Sequence, residues 1–261
     1  MTTLRWTTAA AVAALAMGAG QASAQLAGAV RAEEDGIVRF SYETRPGVEI
    51  CDYGIQFRGD RVMWRQEDSD DRARDCQEGV AEVELDVRDG RVRDVEVVTP
   101  RERSRSARDL GEVTPGEAAG YLLSLAYRGA TNDAAEDVIF PAMIADVEGV
   151  WREVLEIAKD RDVHRGIRKN ALFWIGQEAA DAVLAGLADV ATDESEDQEV
   201  RNSAVFALSQ RDDDESIPVL IEIAETATEA ETRRTAMFWL AQSDDPRVIR
   251  FFEDILLRKG L

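Results

Sequence analysis

The chain has 261 residues and a formal net charge of −21, with 52 acidic residues against 31 lysines and arginines. Nucleic-acid affinity depends on neutralising phosphates with Lys and Arg, and anionic lipid repels a protein of this charge. We therefore expect no nucleic-acid partner, and the length leaves room for two domains.

The first 24 residues predict a secretory signal peptide. Arg5 precedes an apolar run over residues 9–17, and an Ala-Ser-Ala sequence ends at Ala24. This run is too short to span a membrane, and the small residues suit cleavage after Ala24. We expect a periplasmic or secreted protein with no membrane insertion after signal cleavage. The alternative is an N-terminal anchor or tail.

Residues 25–98 are predicted to form a small antiparallel β domain. Apolar and polar side chains alternate here from about residue 28, which is the pattern of half-buried strands. A two-residue turn at residues 59–60 predicts a hairpin that pairs Phe57 with Val62.

A second hairpin is predicted around Asp89 and Gly90. A two-residue loop would set the apolar Leu85 against Asp94, whereas one more residue matches it with Val95. The hydrophobic register therefore predicts a three-residue, bulged connection.

The two cysteines, Cys51 and Cys76, both fall in this domain. In an exported chain they predict a disulfide, because that compartment is oxidising. A catalytic thiol is disfavoured, since the single histidine, His164, lies in the other half and no CxxC motif occurs. The acidic run at residues 67–71 lacks the spacing of a calcium loop and predicts a solvated loop.

No motif of a known catalytic or cofactor site occurs in the chain. HExxH, GxSxG, GxGxxG and P-loop sequences are absent, and one histidine does not suffice for a common zinc site. We therefore expect no enzyme activity, no cofactor and no metal site.

Two segments lead into the C-terminal half. Residues 99–113 have no periodicity and predict a domain linker, whose four arginines are expected to dock on acidic surface of the same chain. Thr114, Pro115 and Glu117 then indicate a helix start with a capping box. Residues 114–162 are predicted to form an atypical helical repeat that caps a stack.

One pattern occurs three times after residue 163: Arg-x-x-Ala, with Phe two and Gln six residues after the alanine. Its alanines, Ala171, Ala204 and Ala236, lie 33 and 32 positions apart, a period typical of stacked helix pairs. The pattern resembles bacterial HEAT-like repeats of the short type found in phycobilin lyases. We predict an α+β fold, mainly α: a small antiparallel β domain followed by an α-solenoid of three HEAT-like helix pairs over residues 163–261.

The arginines of the pattern are predicted to have a structural role. Arg168, Arg201 and Arg233 fall at the edge of the core-facing arc of their helices, so their charges need partners. We expect these partners among the acids of the preceding turns, which are Asp160 or Asp162, Glu196 or Glu199, and Glu229 or Glu231. The resemblance implies the same arginine and acid ladder between repeats.

The phenylalanines of the pattern, Phe173, Phe206 and Phe238, lie about 200° from the alanine on each helix. Polar residues flank this Phe column: Gln177, Gln210, Gln242, Lys169 and Arg234. Such a surface is predicted to bind a protein or peptide. Trp174 and Trp239 are predicted to be core packing residues.

We therefore expect an exported, non-enzymatic scaffold that binds another protein through a helical face. A second interpretation has the Phe column pack on the protein's own β domain, or on another copy in a self-associated form. A third, an enzyme or lyase-like relative, has no recognisable site in the sequence.

Overall fold

The computed structural model describes residues 23–51, 54–57, 61–62, 76–178 and 181–258. The chain divides between Val150 and Trp151 into two compact units. The predicted acidic loop at 67–71 lies outside the described residues, as does the predicted signal peptide apart from Ser23 and Ala24. The predicted fold class is confirmed, because a β domain precedes a C-terminal helical array.

The N-terminal unit is built on two four-stranded sheets. The strands are β1 Gly36–Glu43, β2 Val48–Cys51, β3 Gly54–Phe57, β4 Arg61–Val62, β5 Cys76–Glu78, β6 Val80–Arg88, β7 Arg91–Val98 and β8 Arg108–Glu112. The main sheet has the order β7-β6-β1-β8 and the smaller one β4-β3-β2-β5. Val38, Phe40 and Tyr42 alternate along β1 and are fully buried, so one face of the main sheet forms the core.

The hairpin of β6 and β7 has the predicted register but a shorter loop than predicted. Leu85 pairs with Val95, while Arg88 pairs with Arg91, which leaves two loop residues instead of three. Asp89 and Gly90 have φ values of 52° and 66°, as a type I′ turn requires. The additional residue is instead accommodated in a bulge within the strands.

The smaller sheet contains the predicted disulfide. Cys51 of β2 and Cys76 of β5 are direct cross-strand partners and are covalently joined. The predicted hairpin register at residues 59–60 is wrong, because Phe57 pairs with Arg61 and Val62 with Gln56. Three residues separate the first pair, and a loop longer by one residue shifts the register by one.

The structure differs from the predicted linker at residues 99–113. Residues 108–112 form β8, which runs parallel to β1 at the edge of the main sheet. The predicted docking of arginines on acidic residues is found at Arg103, which binds the carboxylate of Glu82, and at Arg108, which lies 3.5 Å from Glu33. The segment is thus an integral part of the N-terminal unit.

Helices cover the main sheet. They are α1 (described over residues 23–31), α2 Pro115–Leu125, α3 Asn132–Glu136 and α4 Ile139–Ile144. α2 begins with the predicted capping box of Thr114 and Glu117. The helix α1 was not expected, because strands were predicted from about residue 28; its Leu26 and Val30 are buried.

The structure also divides the predicted capping repeat at residues 114–162. The hydroxyl of Tyr42 in β1 donates to the carbonyl of Pro141 in α4 at 2.7 Å, and the rings of Phe40 and Tyr121 meet edge to face at 6.3 Å. α2 and α4 therefore pack their apolar residues against the sheet of the N-terminal unit.

The C-terminal unit consists of helices in two layers. These are α5 Trp151–Lys159, α6 Arg165–Ile175, α7 Asp181–Thr192, α8 Gln198–Ser209, α9 Asp213–Thr226, α10 Ala230–Leu240 and α11 Pro246–Arg258. In one layer α6, α8 and α10 pack in succession, and in the other α5, α7, α9 and α11 do so. Each copy of the repeated pattern falls on a helix of the first layer, and its alanine is fully buried.

Helices α6 and α8 approach closely at Gly176, the residue that ends α6. A Cβ added to Gly176 would lie 3.0 Å from the Cβ and 3.1 Å from the carbonyl oxygen of Ala207. Ala207 stands where the other two repeats carry Trp174 and Trp239. The small side chain of the middle repeat thus permits this approach.

Capping residues in the sequence predict helix starts at Asp162 and at Ser216, and the structure differs at both. The N-cap of α6 is His164, whose Nδ1 accepts from the amide of Gly166 at 3.3 Å. α9 begins earlier, at Asp213, and contains Pro218 within its first two turns. Three acidic residues in the first turn of α9 complement the helix dipole without a side-chain cap.

Candidate protein-binding face of the C-terminal helical array

The Phe column is part of a continuous row of five aromatic rings on the α6, α8 and α10 layer. The rings of Phe173 and Phe206 are stacked, with centroids 6.4 Å apart and planes 9° from parallel. Trp239 continues the row at 5.0 Å from Phe206, and Phe238 meets Trp239 edge to face at 5.1 Å. At the other end Trp174 meets Phe173 at 5.1 Å. Aromatic pairs at these separations stabilise one another.

Exposure of the column increases towards the last repeat. Phe173 and Phe206 are half-buried, because a ring of the neighbouring helix covers part of each. Phe238 is 56% exposed. Trp174 is buried as predicted, whereas Trp239 is half-buried and lies between Phe206 and Phe238. Trp239 therefore belongs to the exposed row as much as to the core.

The glutamines of the pattern follow the same gradient. Gln177 is half-buried, while Gln210 and Gln242 are exposed. The amide of Gln242 donates to the carbonyl of Phe238 at 3.4 Å, and the amide of Gln210 to the hydroxyl of Ser209 at 3.3 Å. Both side chains thus make local hydrogen bonds and keep polar groups at the surface beside the column.

The two predicted cations of the face have different surroundings. Lys169 of α6 lies 3.1 Å from Glu199 of α8 and forms an ion pair with this residue of the next repeat. Arg234 pairs with Glu231 on its own helix, and its side chain is largely exposed. Of the two, Arg234 is the one placed to meet a partner, since its neighbour Phe238 is exposed one turn further along α10.

The middle of the face is held by hydrogen bonds between repeats. The Oδ1 atom of Asn202 in α8 accepts from the hydroxyl of Thr235 in α10 at 3.1 Å and from the amide of Gln198 at 2.9 Å. The same Gln198 amide also donates to Thr232 in α10, at 3.4 Å. These contacts fix α8 against α10 beside the aromatic row.

The arginine ladder differs from the prediction in its partners. Arg233 donates to the carbonyls of Ala227 and Thr228 at 2.5 and 2.6 Å, and not to Glu229 or Glu231. Carbonyl groups at the end of a helix have no partner within the helix, so a cation there satisfies them. The expected acid partners are therefore wrong for this repeat.

Arg201 follows the same rule. It donates to the carbonyls of Asp193, Glu194 and Glu196 and to the side chain of Gln198. Among the described residues, no carboxylate lies within ion-pair distance of it. The backbone of the preceding turn, and not the carboxylates of Glu196 or Glu199, thus binds this arginine.

Arg168 alone has a carboxylate partner, and this partner comes from the following repeat. Its Nη1 donates to Glu196 Oε1 at 3.0 Å, its Nη2 to Glu196 Oε2, and its Nε to the carbonyl of Ala158 at 3.0 Å. Asp160 and Asp162 were predicted instead. Both side chains of the pair are 4% exposed, so it is a bidentate ion pair inside the protein.

The sequence analysis missed further arginines between repeats. Arg211 binds the carbonyl of Glu178, and Arg247 donates to the carbonyl of Asp213 at 3.1 Å. Arg161 reaches Asp193 at 2.5 Å. Each contact joins positions 32 to 34 residues apart. This separation is close to the repeat period, so the period could have predicted these contacts.

The described residues offer little for metal chemistry. In the described ranges, no three His, Cys, Asp or Glu side chains are grouped so that they could hold a metal ion. His164 lies at the N-cap of α6, with its Nδ1 engaged by the backbone. Among the helices that the structure describes, none has the length and apolar character needed to cross a membrane.

The helix pairs agree with a comparison against known families. The family described as HEAT repeats matches residues 152–241 and again residues 184–259. Residues 152–259 are HEAT repeats. The match begins inside α5, so the HEAT array includes a helix that was predicted to belong to the capping segment. Neither a curated protein nor a solved structure matches the chain.

Proposed function

We propose that this chain is an exported, non-enzymatic scaffold whose HEAT array binds another protein through the aromatic row. The observation that carries the proposal is Phe238, which ends a packed row of five rings and is itself 56% exposed. HEAT repeats suggest a role in protein interaction in general. An exposed aromatic ring on a fixed support loses little conformational entropy on binding, which favours it as an anchor.

The polar neighbours of Phe238 fit this use. Gln242 is exposed, and Arg234 lies on the same face one turn earlier. Interfaces combine a buried aromatic centre with a polar rim, and arginine is enriched at such sites. We therefore expect this end of the row to bind a segment of the partner in which a carboxylate flanks an apolar side chain.

The disulfide supports the proposed export. Cys51 and Cys76 are joined, and disulfides persist in oxidising compartments such as the periplasm or the extracellular space. The predicted signal sequence ending at Ala24 supports the same localisation. The narrower resemblance to repeats of the phycobilin-lyase type remains a prediction about ancestry.

The proposal is tested by replacing Phe238 with serine in the full chain. Ile249→Ser is the matched control, because Ile249 is 54% exposed on the neighbouring helix α11. We expect a partner captured from the native cell envelope by the parent chain and by Ile249→Ser to be lost from Phe238→Ser, with unchanged circular dichroism. Equal capture by both variants would contradict the proposal.

Self-association is the second candidate, and it is favoured by the same exposed ring. Light scattering of the purified chain over a tenfold range of concentration separates the two functions. A dimer that dissociates in Phe238→Ser and persists in Ile249→Ser would assign the aromatic row to contact between two copies. A monomer throughout leaves the binding of a different protein as the function of this face.

A further inference from the structure

A cavity of about 390 Å³ lies in the N-terminal unit, between α1, α2 and the turn before β7. Its apolar wall includes Ala27 and Val30 of α1, Val92 of β7 and Leu125 of α2. Pockets that hold small molecules have volumes from about 300 Å³ upwards and mostly apolar walls with a few polar groups. This cavity has the size and lining of a small-molecule site.

The charge of the lining is opposite to that of the whole chain. Arg31 and Arg128 are both in it, and none of its residues is acidic. The chain as a whole has 52 acidic residues and a net charge of −21. The Nε atom of Arg31 donates to the carbonyl of Ala27 at 3.1 Å, while the side chain of Arg128 makes no hydrogen bond or ion pair with the described residues.

A tyrosine hydroxyl adds a neutral donor to the two cations. Tyr121 lines the cavity and is buried, with its ring against Phe40. Burial raises the pKa of the Tyr121 hydroxyl, and the charge of Arg31 opposes that rise, so the group stays protonated at neutral pH. Its hydroxyl therefore remains a hydrogen-bond donor beside Arg31.

The two arginines also have a structural role at helix ends. Arg31 is the last residue of α1, and Arg128 follows the end of α2. Cations stabilise the C-terminal end of a helix. A helix end carries roughly half an elementary charge, whereas each guanidinium carries a full one. Positive charge therefore remains in the cavity after both helix ends have been neutralised.

We propose that this cavity binds a small organic anion, a carboxylate on a short apolar chain, held by Arg31, Arg128 and the hydroxyl of Tyr121. The apolar wall takes the chain of the ligand, and the guanidinium groups take its carboxylate. The site lies within the N-terminal unit, so it does not depend on the binding proposed for the HEAT array. Ser23 and Ala24, which also line the cavity, precede the proposed cleavage point, whereas Arg31, Tyr121 and Arg128 remain in the exported chain.

The test is a titration of the ¹⁵N-labelled chain from Gln25 onwards, the form left by the proposed cleavage, with butyrate, butyramide and inorganic phosphate as probes. The backbone amides of Gly90, Val92 and Gly129 report on the cavity wall. We expect saturable shifts with butyrate and none with butyramide, which has the same shape without the charge. Saturable binding of phosphate but not butyrate would overturn the assignment to an organic carboxylate.

Variants decide whether the arginines bind the probe. Arg128→Gln and Arg31→Gln should each weaken butyrate binding at least tenfold, and Tyr121→Phe should weaken it less while keeping the ring in place. Arg93→Gln is the matched control, since Arg93 is an exposed arginine of β7 that does not line the cavity. Equal affinity in Arg128→Gln and Arg93→Gln, or the absence of saturable shifts in the parent chain, would refute the site.

Discussion

The guanidinium of Arg168 in α6 binds both carboxylate oxygens of Glu196, which lies 28 residues further along the chain in the turn before α8. Both side chains are 4% exposed. The backbone carbonyl of the same Glu196 accepts from Arg201 of α8. One acidic residue thus joins the arginines of two successive HEAT repeats.

Glu196→Ala should destabilise the array by about 3–5 kcal/mol, because it leaves a buried guanidinium without its counter-charge. The matched control is Glu199→Ala, which removes the exposed ion pairs with Lys169 and Arg165 of α6 and should cost about 1 kcal/mol or less. Chemical denaturation followed by circular dichroism measures both. Equal losses in the two variants would show that the Arg168 pair contributes no more than a surface pair.

Gly176→Ala is predicted to destabilise the contact of α6 with α8 by about 1–3 kcal/mol. The added methyl group would meet the Cβ of Ala207 at 3.0 Å and its carbonyl oxygen at 3.1 Å, and backbone atoms yield little. Gly116→Ala in α2 is the control, since a Cβ there has no neighbour within 4 Å. That substitution should be neutral or slightly stabilising. A neutral Gly176→Ala in the same denaturation experiment would contradict the close packing.

The sequence predicted the helices of the array better than the contacts between them. The period of the hydrophobic residues gives the angular position of Arg168 around the axis of α6, and it correctly predicted that Arg168 lies at the edge of the core. The period does not say how far one helix is shifted along its axis relative to the next. Glu196 of the next repeat was therefore missed in favour of Asp160 and Asp162, which are nearer in sequence.

The N-terminal unit shows a second limit of sequence patterns. β8 is an edge strand with four of its five residues exposed, and its Gly111 has a φ of 80°, so no alternation of apolar residues marks it. Residues 99–113 consequently looked like a linker. The aromatic row was predicted as three phenylalanines, because the ring contacts that bring in Trp239 depend on packing between repeats.

Loss of the disulfide should destabilise the N-terminal unit. Cys51 and Cys76 close a loop with a sequence separation of 25, and a bridge over such a loop contributes roughly 2–4 kcal/mol. We expect Cys51→Ser with Cys76→Ser to lower the unfolding midpoint of this unit and to leave the helical array unchanged. Reductant should have the same effect on the parent chain and none on the double variant. A midpoint unaffected by reductant would contradict the prediction.

The carboxyl of Asp245 at the start of α11 should titrate at unusually low pH. The side chain of Arg247 donates to both its oxygens, at 2.9 and 2.7 Å, and the backbone amide of Arg247 donates to one of them. These donors lower the pKa of Asp245 to about 2. A carboxyl with a lowered pKa stabilises the fold above its unfolded pKa, near 4, and this contribution is lost as the pH falls through about 2.

Arg247→Gln should raise the pKa of Asp245 part of the way to its ordinary value, because the backbone amide at position 247 remains a donor. The measurement is a ¹³C NMR titration of the Asp245 carboxyl between pH 1.5 and about 6, the range that brackets the lowered and ordinary values. Arg234→Gln is the control, since Arg234 pairs with Glu231 on another helix and should leave the pKa of Asp245 at about 2. An Asp245 carboxyl that titrates near pH 4 in the parent chain would refute the contact with Arg247. If the contact is present, the pH range in which acidification lowers the free energy of unfolding should lie higher in Arg247→Gln than in the parent chain or in Arg234→Gln. The reason is that Asp245 becomes protonated at a higher pH in Arg247→Gln.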